Sequence, residues 1–250
     1  MEKPCRALRV TNGAVKCFRL LQLITTSGLP LAPGNHVWNS VCKTSGNMQL
    51  EFFKGKKRSD KPVLPEGLRY QPALISSHDE AALVERVRSL PFREFEFHGY
   101  LGKRRVVSFG WKYDFSSQRL QKAPDTPDYL LSLRALAALF ANLEAEAFEQ
   151  VLVIEYADGA GIGWHRDKAV FGQVVGVSLL APCTLRFRRK VDGSWERANL
   201  CAEPRSAYHL TGPARSEWEH SIARVETLRY SITFRSMRDD ESTKKFLMGQ

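Results

Sequence analysis

Three residues in the second half of the chain could hold a metal. The stretch Ile154 to Lys168 reads IEYADGAGIGWHRDK, and Glu217 to Arg235 reads EWEHSIARVETLRYSITFR. Together they supply His165, Asp167 and His220. Two imidazoles and a carboxylate form the set that holds non-haem Fe(II) on one face and leaves the other open. The second stretch also alternates with period two. Leu228, Tyr230, Ile232 and Phe234 would point one way, and Arg229, Ser231, Thr233 and Arg235 the other. A strand face with two arginines and two hydroxyls suits an anion, because a guanidinium fork can bind both oxygens of a carboxylate. The chemistry implied is a metal with a carboxylate-bearing cosubstrate beside it.

An HxD pair alone is weak support. With six His and ten Asp in 250 residues, one arises by chance in about a quarter of such chains. Context adds to it: the pair follows a strand closed by the ADGAGIG turn, and His220 sits in a separate segment, as a cavity between two sheets requires. The alternative for the histidines is a hydrogen-bonded, partly buried pair. For the arginines it is salt bridges to Glu155 or Glu219.

The elements that would position these residues are short. Val63 onward, PVLPEGLRYQPALIS, reads as an extended entry strand. Ser77 followed by Glu80 makes a capping box, with Leu83, Val87 and Leu90 as one helical stripe that Pro91 ends. Phe95 to Phe115 reads as a hairpin with a basic turn at Lys103, Arg104 and Arg105. A second helix begins at Thr126-Pro127 and buries Leu133, Leu136, Phe140 and Leu143. Strands are expected over 151–156, 173–180, 184–189, 207–211 and 228–234. Two helices and then many strands predict an α+β fold: a β-sandwich or jelly roll (double-stranded β-helix) core with supporting N-terminal helices.

At 43% apolar the chain can bury one sizeable core, and no run approaches the length of a membrane-spanning helix. The five cysteines, odd in number and without CxxC, argue for a reducing compartment and against a disulfide framework or zinc site. The net charge of +10 is concentrated at one end. Residues 1–62 hold 11 Lys/Arg against 3 Asp/Glu, and residues 63–250 hold 26 against 24. Residues 1–62 read as a basic, disordered extension or a presequence, with Met48 as an alternative start, followed by a domain over 63–240 and a tail over 241–250.

Tyr156, GIGWHRD, WEHSI and RYSITFR, in that order, resemble the AlkB-type Fe(II)/2-oxoglutarate dioxygenases, from about Leu64 to Arg238. The resemblance implies Fe(II) held by His165, Asp167 and His220, with 2-oxoglutarate and O₂ as cosubstrates. It implies that Arg229 pairs with the distal carboxylate, helped by Tyr156, and that Arg235 steers the proximal carboxylate or Asp167. Ser231 and Ile154 stand where the family often has asparagine, and Arg215 matches a recurrent arginine read as structural. The implied activity is oxidative demethylation of alkylated DNA or RNA bases, the hydroxymethyl on nitrogen leaving as formaldehyde. The same chemistry on a protein side chain or a tRNA modification is the alternative, and a catalytically silent binding module a third.

Substrate recognition in the family lies in the hairpin, here Gly99 to Phe115. Trp111 and Tyr113 would stack on a flipped base while Lys103, Arg104 and Arg105 meet phosphates; the alternative is that the aromatics are core and the charges a solvated turn. Arg186, Arg188, Arg189 and Lys190 add a second basic patch. Lys168-Ala169 follows Asp167 where repair members can carry a second acidic residue. The expected partners are alkylated DNA or RNA, with no membrane, for a monomer in the cytoplasm, or in the mitochondrion if residues 1–62 are a presequence.

Overall fold

The computed structural model describes residues 64–97 and 100–239. The expected extension at 1–62 and the tail at 241–250 lie outside the described residues.

The first helix starts where a serine can close it. Ser76 is extended, its Oγ accepts from the Asp79 amide at 3.1 Å, and Asp79 accepts from the Ser76 backbone in return. Helix α1 therefore runs Ser77–Arg88, with the box one residue earlier than expected. Glu80 is engaged elsewhere, accepting from the Leu180 amide at 2.8 Å. Helix α2, Asp128–Ala141, follows Pro127 and ends at Asn142 in the left-handed region. It buries Leu130, Leu133, Ala137, Ala138 and Ala141, whereas Leu136 is 39% exposed. The alanines let this helix lie close to the sheet, so the contact stripe is set by small residues beside the expected leucines.

Seven strands form one antiparallel sheet: β1 (Leu68–Gln71), β2 (Arg93–Phe97), β3 (Tyr100–Phe109), β6 (Phe148–Tyr156), β8 (Phe171–Leu179), β11 (Ala207–Leu210) and β13 (Arg229–Met237). Their order is β1-β11-β8-β13-β6-β3-β2. A second sheet holds β7 (Ile162–His165), β9 (Cys183–Val191), β10 (Ser194–Ala202) and β12 (Glu219–Ile222), in the order β10-β9-β12-β7. The hairpin of β4 (Trp111–Asp114) and β5 (Arg119–Lys122) stands apart. One core joins α1 and α2 to the large sheet through Val151, Val153, Val177, Ile232 and Phe234. The other lies between the sheets and holds Tyr156, Leu185, Phe187, Tyr208 and Ile222. This is the expected α+β fold, a jelly-roll core with helices on one outer face.

Strand β13 separates its two faces as the alternation requires. Tyr230, Ile232 and Phe234 enter the helix-side core, and Arg229, Ser231 and Arg235 are buried on the opposite face. Leu228 precedes the strand and is 38% exposed. The basic turn is corrected. Lys103, Arg104 and Arg105 lie inside β3, which pairs with β2 and β6, while β4 pairs with β5. A strand can carry this run because both arginines have partners: Arg104 sits 3.9 Å from the Phe95 ring centroid, and Arg105 pairs with Glu155 at 2.7 Å. Cys183 is a buried free thiol, whereas Cys201 is disulfide-bonded. Among the described residues no helix is long and apolar enough to cross a membrane.

Candidate metal and cosubstrate site

His165 ends β7, His220 lies in β12, and the two residues are paired directly across the strands. Gly161 lets the strands approach: a Cβ there would fall 2.8 Å from the Ile222 carbonyl oxygen. The two imidazole centroids stand 4.3 Å apart. His165 Nδ1 donates to the Gly163 carbonyl at 2.9 Å, which leaves the Nε2 lone pair to ligate. Asp167 follows in the next loop, and one ligand atom from each of the three residues lies within 4.8 Å of the others.

Electrostatics favour a cation there. Burial alone would raise the Asp167 carboxyl, but Arg235, His220, His165 and Arg215 hold it well below the usual carboxylate range. Arg235 Nη2 donates to Asp167 Oδ1 at 3.0 Å, and Arg235 Nη1 donates to Gln150 at 3.0 Å. Burial pushes His220 down to about 3, against the pull of Asp167. An ionised carboxylate beside a neutral buried imidazole and a second ring is the donor set that Fe(II) takes. Arg215, in the short helix α3 (Gly212–Ser216), donates to the carbonyls of Lys168, Phe171 and Gly172 at 2.6 to 2.9 Å. It fixes the loop behind Asp167 and does not reach into the pocket.

Arg229 opens β13 opposite Tyr156 and is fully buried. Its Nη2 donates to Ser178 Oγ at 2.6 Å, while its Nε and Nη1 and the Tyr156 hydroxyl are buried without a hydrogen-bond partner among the described residues. Burial works against the charged guanidinium, and Cys183, Tyr156 and Tyr208 around it shift its pKa upward. The alternative carboxylates are taken: Glu155 by Arg105 and Glu219 by Arg188. Two guanidinium donors and a phenol in one dry pocket fit a carboxylate group, so the residues present suit both Fe(II) and an oxo-acid. Ser231 faces the same interior, paired with Ile154 and Ser178.

Ser178, Tyr208, Cys183 and Gln150 line this interior without a sequence motif to announce them. Tyr208 packs directly against Gly176, where a Cβ would come 2.3 Å from its Cζ. The one readable signal is in β8, where Val174, Gly176 and Ser178 alternate with the helix-facing Val175, Val177 and Leu179.

The expected substrate residues separate. Arg104 shares a face with Tyr156, and burial lowers its guanidinium. Tyr113 and Phe115 take the Lys168 ammonium at 4.8 and 5.2 Å, next to Asp167. Lys103 is exposed beside the Gly159 turn. Arg105 points to the helix side, where it holds Glu155. Trp111 stacks under Lys122 at 3.8 Å and lines a surface cavity of about 360 Å³ with Leu131 and Arg134, to which no metal or cosubstrate residue contributes.

A family model of the 2OG-Fe(II) oxygenase superfamily matches residues 67–235. The chain belongs to that superfamily. It is a 2-oxoglutarate-dependent dioxygenase, working with Fe(II), 2-oxoglutarate and O₂, and it is similar to AlkB homologues. An Arabidopsis thaliana protein named alkylated DNA repair protein ALKBH8 homolog is 25% identical in a 247-residue alignment that covers 84% of this chain and 70% of the relative. The human alpha-ketoglutarate-dependent dioxygenase alkB homolog 4 is 26% identical in a 199-residue alignment that covers 65% of this chain and 64% of that protein. Among solved structures, OsALKBH1 superposes with a TM-score of 0.54 at 17% identity, over 70% of this chain and 99% of its own. A 2OG-Fe(II) oxygenase family oxidoreductase from Burkholderia pseudomallei gives 0.50 at 16%, over 70% and 86%. At these identities the two structures speak for the fold.

Proposed function

We propose that this dioxygenase demethylates alkylated nucleic-acid bases in DNA or RNA. The observation that carries the reading is the rim beside Asp167, where cations and aromatics alternate: Arg104 over Phe95, and Lys168 over Tyr113 and Phe115. An extruded base needs an aromatic face, and its backbone needs cations. The name of the Arabidopsis relative supports the same substrate class.

In this reading His165, Asp167 and His220 hold the iron, which supplies activation of dioxygen coupled to decarboxylation of 2-oxoglutarate. Arg229, steadied by Ser178, receives the distal carboxylate together with Tyr156 and Ser231. Arg235 holds Asp167 in its ionised form and in one orientation. Phe187, Tyr208 and Leu185 form walls that keep water from the reacting atoms. Lys168 stands where an acidic base-reading residue could have stood, which favours a substrate read through stacking and phosphate contact.

Mass spectrometry of methylated DNA and RNA oligonucleotides, incubated with enzyme, iron and 2-oxoglutarate, tests the reading. The expected result is loss of the methyl mass with release of formaldehyde, dependent on iron. Iron-dependent succinate release with no change in any oligonucleotide would leave the oxygenase in place and move the substrate to a protein side chain.

A further inference from the structure

We propose that the solvent face of the four-stranded sheet is a second nucleic-acid contact, a platform for a single-stranded segment. It deepens the reading above and rests on nucleic acid being the polymer that this dioxygenase handles.

The register fixes which residues share this face. His220 pairs with both His165 and Phe187, and these look into the interior. Their chain neighbours therefore look outward. Arg188 stands opposite Arg197 and Glu219, Arg186 opposite Asn199 and Ser221, and Lys190 opposite Trp195. Trp164, the residue before His165, completes the set. The Arg188 guanidinium lies between two indoles, 4.5 Å from the Trp164 centroid and 4.4 Å from that of Trp195, and Arg186 lies 5.2 Å from Trp164. Among the described residues, four cations (Arg186, Arg188, Lys190 and Arg197) thus meet one carboxylate on this face, and Glu219 is engaged with Arg188 at 2.6 Å. Trp195 keeps 41% of its surface in water, and Lys190 and Arg197 are exposed.

Arg189 provides an internal contrast. It belongs to the same basic run but turns to the other side, where Glu196 and Glu217 neutralise it at 2.9 and 2.6 Å. The run is therefore sorted by face, with the unneutralised charge gathered around the indoles. Acidic partners of any kind would answer the charge, but the aromatic members single out unpaired bases, whose π-faces stack on indoles while phosphates meet the interleaved cations. A duplex keeps its base faces stacked inside the helix and would leave Trp195 unused. Trp164 precedes His165 directly, so a strand seated here lies one residue of backbone from the metal pocket.

The test is fluorescence anisotropy of the full chain with a labelled, unmethylated single-stranded 15-mer (roughly one to four sites of the size such grooves cover). Trp195→Ala should weaken binding about five- to tenfold, with Trp195→Phe retaining most of the affinity. Arg197→Glu should weaken it further and lower the slope of log affinity against log salt by about one to two. Succinate release without substrate should stay at the wild-type rate in all three, since neither residue touches the triad or Arg229. Wild-type affinity in both Trp195→Ala and Arg197→Glu overturns the platform, whether or not methylated oligonucleotides are demethylated. Loss in Arg197→Glu alone, with polyglutamate competing as well as the 15-mer, also overturns it and assigns the face to an acidic protein. Binding that follows the variants in a protein that demethylates no oligonucleotide supports the platform while sinking the substrate reading.

Discussion

Replacing Arg229 by lysine would test the cosubstrate pocket at one group. The lysine keeps the charge and loses the fork. In the wild type Nη2 is fixed by Ser178 at 2.6 Å, and Nε and Nη1 remain as the two donors available to a ligand. A charge-assisted pair of this kind in a dry pocket contributes about 1.5–3 kcal/mol. Lysine offers one ammonium, which must choose between Ser178 and the ligand, so most of that contribution should go. The expected loss is about tenfold to a hundredfold in 2-oxoglutarate affinity. Iron affinity should barely change, because Arg229 touches none of the triad. The measurement is an anaerobic titration of 2-oxoglutarate into the Fe(II)-loaded protein, followed by the charge-transfer absorbance of the complex. A lysine variant with wild-type affinity and normal iron content would refute the reasoning and make Arg235 the next candidate.

Alanine at His165, Asp167 or His220 should each abolish succinate formation with the fold retained by circular dichroism, and near-normal turnover in the His220 variant would remove it from the ligand set. Gly176→Ala should displace Tyr208, lowering stability by about 1–3 kcal/mol in thermal unfolding, since its Cβ would come 2.3 Å from the ring. His209 is buried, its Nε2 donating to Gln173 at 2.7 Å, and burial with Arg69 nearby pushes it down to about 4 from 6.5. Acid therefore protonates the unfolded chain first, so stability present above pH 6.5 should fall by at most about 3 kcal/mol as pH drops to about 4. His209→Gln should flatten melting temperature against pH in that window, and an unchanged profile would show that other groups control it. Deleting residues 1–62 should leave substrate-free turnover intact and weaken oligonucleotide binding with a flatter salt dependence, because that segment carries 11 basic against 3 acidic residues; an inactive truncation would show that it belongs to the fold.

The chemistry was more legible in the chain than the scaffold. Strand β13 can be read because every second residue is apolar and the others are cations or hydroxyls. The His165, Asp167 and His220 set stands out because its members have few other uses in that order. Ser178, Tyr208 and Gly176 are ordinary residues, and only the pairing of β8 with β11 and β13 gives them a place. The run 103–105 reads as a turn because three cations rarely enter a strand; it enters one because its two sides face different partners. The capping box was ambiguous locally, with two serines and two acids adjacent, and Glu80 settled it by reaching Leu180. The alanine stripe of α2 shows that closeness of approach, more than hydrophobicity, chose the buried side.

Arg215 ties down three backbone carbonyls behind Asp167, those of Lys168, Phe171 and Gly172. The cost of ordering that loop is thus met during folding and not at the moment a metal arrives. A preorganised ligand loses little conformational entropy on binding. Metal capture should then be limited by access to the pocket, without a slow rearrangement of the Asp167 loop. An arginine that touches neither iron nor substrate would in this way set how quickly the enzyme reloads after its metal is lost.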